Sequence, residues 1–161
     1  MRAVNKKSTL VLLGFLLLNV AVQAAGAYAT FPEIPTWYQG LQKPSWNPPP
    51  WVFGPVWTSL YIMMAVAAWF AWREVGLRSG PLRLYFLQLL LNLLWSYLFF
   101  WAHSPFLALI DIAILWLAVG ATVLAFWRAR PLAGVLMLPY WLWVGFAGSL
   151  NWAIWRLNPG P

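Results

Sequence analysis

Five long apolar runs, separated by short stretches, constrain the fold of this chain more than any other feature. The runs lie near Leu10–Tyr28, Val52–Trp72, Leu84–Trp101, Phe106–Trp127 and Leu132–Trp155. Each can cross a bilayer core of about 30 Å, which takes about 20 helical residues. They lack the polar–apolar alternation of membrane β-barrels. The sequence therefore predicts an all-α membrane protein, a bundle of five transmembrane helices that forms a single domain over residues 1–161.

The charged residues are few, and they lie at the ends of the apolar runs. They make up 8% of the chain, against about 25% in soluble domains. Eight of the ten basic residues precede the first run or lie between runs two and three or four and five, while Lys43 and Arg156 lie on the other side. The positive-inside rule then predicts a cytoplasmic N-terminus and an outside C-terminus. This placement argues against a nucleic-acid partner.

The first run has a second interpretation. Basic residues near the start, the apolar stretch Leu10–Leu18 and small residues around Ala24–Ala29 also fit a secretory signal. Cleavage would leave four spans with both ends on one side of the membrane. The residues alone leave both interpretations open.

The connection between the first two runs is rich in tryptophan and proline. The segment Trp37–Trp57 reads WYQGLQKPSWNPPPWVFGPVW, and its prolines exclude an ordinary helix interior around Asn47–Pro50. The expected loop, residues 30–50, is long for a compact domain, and such loops are often functional. A stiff aromatic loop either anchors the chain at the membrane surface or covers a pocket.

Three predicted helices carry stripes of aromatic and amide side chains at helical spacing. A flat apolar ligand needs such surfaces for stacking and a few polar groups for orientation. The same residues would also serve simply to hold helices together. The stripes are Trp57 and Tyr61 on helix two, Gln88, Asn92 and Trp95 on helix three, and Trp143, Ala147 and Asn151 on helix five.

The sequence offers no classical catalytic constellation. It contains no cysteine and one histidine, His103, so thiol chemistry, disulfides and multi-histidine metal sites are excluded. Asp111 is the acid that lies well within a span, where a carboxylate is costly and is a functional candidate by default. A structural role near a helix end is the alternative for Asp111. We expect no metal site and no required cofactor.

With these motifs in view, the chain resembles the TspO/MBR family of tryptophan-rich sensory or translocator proteins. The matching motifs are the Trp37–Trp57 segment, QLLLNLLWSYLFF at Gln88–Phe100 and PYWLWVGFAGSLNWAIWR at Pro139–Arg156. The resemblance implies a five-helix bundle, usually a homodimer, that retains its first helix. It also implies a cavity under the first loop for porphyrins, such as protoporphyrin IX or a haem-like tetrapyrrole, and related apolar ligands.

The family's pocket residues carry over where the motifs match. Trp57, Asn92, Trp143 and Ala147 resemble the pocket wall. The loop residues Trp37, Tyr38 and Trp46 resemble the lid over the pocket, and Trp57 and Trp143 match tryptophans implicated in light-dependent porphyrin breakdown in some members.

One departure from the family concerns sterols. Eukaryotic relatives have a C-terminal cholesterol motif with a central tyrosine, whereas Trp152 stands in the corresponding segment, Leu150–Arg156. Sterol binding is therefore not expected. The short tail resembles bacterial members, and the charge bias then predicts a bacterial inner-membrane protein in contact with lipid.

Three functions follow as expectations. The first is tetrapyrrole binding with a sensory, transport or porphyrin-handling role. The second is light-dependent porphyrin degradation, with Trp57 and Trp143 as candidate reactive groups. The third is a structural or interaction role in which the aromatic residues only anchor helices.

Overall fold

The computed structural model describes residues 6–159, and in this part of the chain the secondary structure is helical, without strands. The five main helices are α1, Lys6–Thr30; α2, Pro50–Val75; α3, Gly80–Ser96; α4, Pro105–Ala129; and α5, Pro131–Leu157. With their helical extensions, all five are long and apolar enough to cross a membrane. The fold is the predicted five-helix bundle.

Prolines and short polar caps define where the helices begin. A proline stands in the first turn of α2, α3, α4 and α5, where its missing N–H costs no helical hydrogen bond. Ser104 caps α4 by accepting a hydrogen bond from the backbone N–H of Leu107 at 3.4 Å. At the end of α2, Gly76 adopts a φ of 77°, which glycine tolerates without the Cβ clash of other residues.

The first helix extends further than the sequence predicted. A 3₁₀ turn at Phe31–Glu33 and a π-helical turn at Ile34–Tyr38 follow α1 directly. The irregular connection to α2 is therefore confined to residues 41–49, which we call the cavity loop. The expected loop of residues 30–50 thus divides into a helical half and a shorter true loop. Pro32 and Pro35 lie in the first turns of these short helices, which accommodate them.

The helices form a ring in which each packs against its neighbours. In order around the ring, α1 contacts α2, α2 contacts α5, α5 contacts α4, α4 contacts α3, and α3 returns to α1. Helix α2 also contacts α3 and α4, so it touches each of the other four helices. Its side chains Met64, Ala65, Ala67, Ala68 and Ala71 have no exposed surface. Small residues at such contacts let helix backbones approach closely.

The outer surface of the bundle is apolar, as a lipid-facing surface must be. Leucines such as Leu10, Leu17, Leu90, Leu117 and Leu142 are each more than 60% exposed. In water such a surface would be an aggregation liability. In a bilayer it meets hydrocarbon, and the buried small residues supply the packing that holds the helices together.

Candidate functional site

A cavity of about 350 Å³ opens at one end of the bundle, beneath the cavity loop. Helices α1, α2, α3 and α5 contribute its walls, together with the helical extensions of α1 and α3. None of its lining side chains is charged. The residues are Gln23, Gly26, Ala27, Thr30, Phe31, Ile34, Tyr38, Asn47, Pro48, Pro50, Trp51, Phe53, Gly54, Trp57, Tyr61, Asn92, Trp95, Ser96, Phe99, Phe100, Trp143, Ala147, Leu150, Asn151 and Ile154.

Aromatic rings from α2 and α5 form one wall of the cavity. Trp57 lies 5.7 Å from Tyr61 and 6.2 Å from Tyr140, measured between ring centroids. Phe53 packs edge-on against Trp143 at 6.0 Å. These contacts are within the range of favourable aromatic pairs. Because each ring is held by another ring, the wall is a preformed set of flat surfaces.

The opposite wall comes from α3 and its π-helical extension, Tyr97–Trp101. Trp95 stacks on Phe99 at 5.2 Å, and its indole Nε1 donates a hydrogen bond to Asn151 Oδ1 at 2.9 Å. The Asn151 amide in turn donates to the backbone oxygen of Pro105 at 2.8 Å. Asn151 thus ties α3, α4 and α5 together and fixes the orientation of the Trp95 ring.

The inner end of the cavity is polar. Tyr61 on α2 donates its hydroxyl proton to Asn92 Oδ1 on α3, and Asn92 is 96% buried. This bond uses the carbonyl oxygen of Asn92. The Nδ2 amide group of Asn92 remains available as a hydrogen-bond donor. Asn92 can therefore donate a hydrogen bond to a ligand without losing its contact with Tyr61.

A side-chain hydrogen bond joins α1 to α2 beside the cavity. Gln23 Nε2 donates to Thr58 Oγ1 at 3.1 Å. One turn further along α1, Gly26 faces Ser96, whose Oγ would lie 3.2 Å from a Cβ at that position. Helix α1 therefore approaches α3 closely at Gly26 and contacts α2 through polar groups at Gln23.

The cavity loop is attached to its surroundings by polar contacts. Asn158, at the end of α5, accepts a hydrogen bond from the backbone N–H of Gln42 and donates one to the backbone oxygen of Gln42, both at 2.9 Å. Tyr38 donates its hydroxyl proton to Asn47 Oδ1 at 3.3 Å. These bonds hold both halves of the loop over the cavity.

Lys43 adds a cation to the same loop. Its ammonium lies 4.5 Å from the centroid of the Tyr38 ring and donates to the backbone oxygen of Leu41 at 3.0 Å. Desolvation lowers the pKa of Lys43. The contact orders Tyr38, which in turn lines the cavity.

The structure brings together most of the residues that the sequence singled out as ligand-binding. Seven of the ten predicted ligand-binding residues line the cavity: Tyr38, Trp57, Tyr61, Asn92, Trp95, Trp143 and Ala147. Trp143 also has a buried Nε1 without a hydrogen-bond partner among residues 6–159. The three stripes therefore converge on one cavity.

Three predicted residues lie outside the cavity lining. Trp37 points to the α3–α4 connection, where it stacks on His103 at 4.5 Å. Trp46 belongs to the cavity loop but packs against Phe146 at 5.9 Å. Gln88 is fully buried in the bundle, one turn of α3 below Asn92. Helical spacing placed Gln88 on the correct face but could not give its depth.

Sequence reasoning also missed residues that the cavity uses. Asn47, Trp51 and Phe53 all belong to the aromatic segment, and they line the cavity beside Trp57. Gln23 was recognisable as a polar residue inside the first span, one turn after Asn19. A polar side chain in a span usually faces other helices or a cavity. This rule indicates which way Gln23 faces but not what Gln23 does.

The acidic and histidine side chains do not form a reactive centre within residues 6–159. His103 pairs with Glu33, its Nε2 lying 2.8 Å from Glu33 Oε2, in the connection that follows α3. Asp111 is 95% buried on α4, and its Oδ2 has no hydrogen-bond partner in the described part of the chain. Neither His103 nor Asp111 lines the cavity.

The described residues contain no group of three or more metal-ligating side chains. The arrangement is suited to enclosing an apolar ligand.

Comparison with known proteins agrees with this architecture. The TspO/MBR family profile matches residues 15–156. The tryptophan-rich protein TspO of Chlorobaculum tepidum is 45% identical over 147 residues, covering 88% of this chain and 92% of the relative. The human translocator protein is 44% identical over 128 residues, covering 77% and 76%.

A third relative has a different name. Protein CrtK of Rhodobacter capsulatus is 38% identical over 152 residues, covering 91% of this chain and 93% of the relative. Together with the five apolar helices, the extent of these matches identifies a multi-pass membrane protein. The chain belongs to the TspO/MBR family.

Proposed function

We propose that the cavity binds a tetrapyrrole, such as protoporphyrin IX or a haem-like porphyrin. The observation that carries this proposal is the uncharged lining itself, in which tryptophan, tyrosine and phenylalanine rings surround a few amides. A macrocycle presents two large apolar faces and a few polar atoms. Its faces can stack on the rings while its polar atoms pair with the amides.

The dimensions support a small-molecule ligand. The volume of about 350 Å³ lies in the range of about 300–1,000 Å³ that small-molecule sites usually have. In the proposed complex, Trp57 and Trp143 stack on the macrocycle and Asn92 donates a hydrogen bond. The cavity loop covers the mouth, with Lys43 available to pair with a ligand carboxylate at its edge.

The experiment is a titration of the detergent-solubilised protein with protoporphyrin IX, followed by quenching of tryptophan fluorescence. Replacing both Trp57 and Trp143 by alanine should weaken binding at least tenfold, because each lost ring contact costs about 1 kcal/mol or more. The matched control is Trp152→Ala, on the same helix as Trp143 but 54% exposed and outside the cavity lining.

The outcomes separate the candidate functions. Tight binding by the double variant would refute the assigned site. Absence of saturable binding by the parent protein would favour the third expectation, a structural or interaction role for the aromatic residues. Relatives named translocator or sensory protein favour a binding protein that senses, transports or handles its ligand.

Light-dependent porphyrin breakdown is the second candidate function. It is favoured by the position of Trp57 and Trp143, two oxidisable side chains, in the wall of the proposed site. The reaction would need dioxygen as its oxidant. Illumination of the complex in air should then yield a distinct bilin-like product that is absent under anaerobic conditions. Bleaching equal to that of free porphyrin in detergent would count against an enzymatic role.

We also propose an inner-membrane location with a cytoplasmic N-terminus. The support is the excess of arginine at the α2–α3 and α4–α5 connections, opposite to the cavity loop. Because the chain has no cysteine, single cysteines can report the orientation. Ser45→Cys in the cavity loop should react with an impermeant maleimide on spheroplasts, whereas Leu77→Cys should react after lysis. The reverse pattern would overturn the orientation.

A homodimer is proposed on the family resemblance, and the wide apolar surface of the helices is compatible with it. Light scattering in detergent, corrected for bound detergent, should give twice the 18.4 kDa mass of the chain. A mass of one chain at concentrations that support ligand binding would contradict the proposal.

A further inference from the structure

Helix α3 carries three buried polar side chains on one face, stacked along the helix axis. Tyr85, Gln88 and Asn92 are spaced three and four residues apart, so each lies one turn from the next. Tyr85 and Gln88 have no exposed surface, and Asn92 is 4% exposed. The face therefore extends the polar inner end of the cavity further into the bundle.

The outer two members of this stack are paired. Asn92 accepts a hydrogen bond from Tyr61, and Tyr85 accepts one from Asn19 Nδ2 at 2.6 Å. Gln88, between them, is different. Neither its Nε2 nor its Oε1 has a hydrogen-bond partner among residues 6–159. Both ends of one buried amide are thus unsatisfied.

Two further unsatisfied atoms belong to the same part of the bundle. Asn19 Oδ1 has no partner in the described chain, although Asn19 itself is bonded to Tyr85. The hydroxyl of Tyr140 is likewise fully buried and unpartnered. Tyr140 packs against Trp57, which packs against Tyr61. The unsatisfied groups therefore come from α1, α3 and α5 around the stack.

Such groups require partners. A buried polar group without a hydrogen bond costs about 1–3 kcal/mol, and about 90% or more of buried polar groups in folded proteins are paired. The chemical nature of the partner follows from the atoms. A cation would leave Gln88 Nε2 unsatisfied, and an anion would leave Gln88 Oε1 unsatisfied. Water both donates and accepts, and a buried water typically makes about three hydrogen bonds.

We infer that Gln88, Asn19 Oδ1 and the Tyr140 hydroxyl form an internal water site beneath the inner end of the cavity. One or more ordered waters accept from Gln88 Nε2 and donate to Gln88 Oε1, and they connect this amide to the neighbouring unsatisfied atoms. The site lies between the Tyr61–Asn92 pair and the Asn19–Tyr85 pair. It goes beyond the proposed ligand function, because it exists whether or not a tetrapyrrole binds.

The test is water-edited solid-state NMR of the protein in lipid bilayers without ligand. Magnetisation transferred from water should reach the Gln88 side-chain amide at short mixing times. The internal control is the indole N–H of Trp141, which lies outside the cavity lining and donates to the backbone oxygen of Trp116 at 3.1 Å. We expect transfer to Gln88 to build up at least threefold faster than transfer to the Trp141 indole.

A variant makes the assignment specific. Gln88→Met keeps the length of the side chain and removes its polar atoms, so the fast component should disappear while the Trp141 signal is unchanged. If the variant fails to fold, the Gln88 signal is assigned instead through the backbone resonances of Leu87 and Leu89. Equal build-up for Gln88 and Trp141 in the parent protein would overturn the inference, irrespective of any result with porphyrin.

Discussion

The two ends of the bundle are built on different principles, and α2 passes through both. At the cavity end, α2 contributes the bulky rings of Trp51, Phe53 and Trp57 to the cavity lining. At the other end, which we call the close-packed end, α2 presents Met64, Ala65, Ala67, Ala68 and Ala71, none of them exposed. Bulky rings preserve space where small residues would let the helices close it.

The backbone shows the same contrast. The 3₁₀ and π-helical turns after α1, the π-helical turn after α3 and the cavity loop all lie towards the cavity. At membrane depth, irregular backbone is tolerated where it is buried in protein or lines a cavity. The regular close-packed end thus serves as a support, and irregularity is concentrated where a ligand can be enclosed.

The largest effect is expected from Gly134→Ala, at the contact between α4 and α5. A Cβ there would lie 2.7 Å from Trp127 Cβ and 2.8 Å from Trp127 Cα. Because the backbone of α4 cannot move aside cheaply, we expect a loss of about 3 kcal/mol in the free energy of unfolding. Denaturation by sodium dodecyl sulfate, followed by circular dichroism, measures the change.

Gly14→Ala is the matched control, since nothing lies within 4 Å of a Cβ at Gly14. Alanine there should stabilise the helix by up to about 1 kcal/mol. Equal effects of the two substitutions would show that α4 and α5 are not closely packed at Gly134.

Met64→Ala should have the next largest effect. Met64 is fully buried in the middle of the close-packed end, so its truncation leaves a cavity and costs about 2 kcal/mol or more of unfolding free energy. The control on the same helix is Ile62→Ala, at a position that is 51% exposed to lipid. A greater loss from Ile62→Ala than from Met64→Ala would contradict the assigned core.

Asn158→Ala tests how the cavity loop is held. The substitution removes both hydrogen bonds between the Asn158 amide and the backbone of Gln42, which together contribute about 1 kcal/mol or more. Hydrogen exchange at the Gln42 amide should therefore become about fivefold faster. In Gln42→Ala the backbone groups remain, so the amide at position 42 should keep its protection. Unchanged exchange in Asn158→Ala would mean that other contacts hold the loop.

The smallest effect is expected from Glu33→Gln. It removes the carboxylate that contacts His103, whose Nε2 lies 2.8 Å from Glu33 Oε2 between partly exposed side chains. We expect a loss of about 0.5 kcal/mol that added salt diminishes. Glu74→Gln, which breaks a 3.5 Å contact with Arg130 near the opposite end, should cost less. A larger effect at Glu74 would reverse this ranking.

The sequence predicted the five helices well because each apolar run must satisfy its backbone internally in lipid. It predicted the end of the first helix less well. The first apolar run ended near Tyr28 and a loop was expected from residue 30, yet the helical path continues to Tyr38. This extension turns Trp37 towards His103 and away from the cavity, an orientation that no local pattern could reveal.

Periodicity identified faces but not depths or partners. Gln88, Asn92 and Trp95 share a face of α3, as their spacing indicated, yet Asn92 and Trp95 line the cavity and Gln88 lies below it. The position of the cavity along the axis depends on where rings from other helices meet. Trp51 and Phe53 become wall residues because α2 starts at Pro50, and that start depends on how the cavity loop folds back.

The most direct test of the central claim follows the 14 tryptophans individually by their indole N–H resonances. On addition of protoporphyrin IX, ring-current shifts should be largest for Trp51, Trp57, Trp95 and Trp143, which line the cavity. They should be negligible for Trp69, which bonds to Ser8 at the close-packed end. Largest shifts at Trp69, or at the stacked pair Trp116 and Trp141 on α4 and α5, would contradict the account.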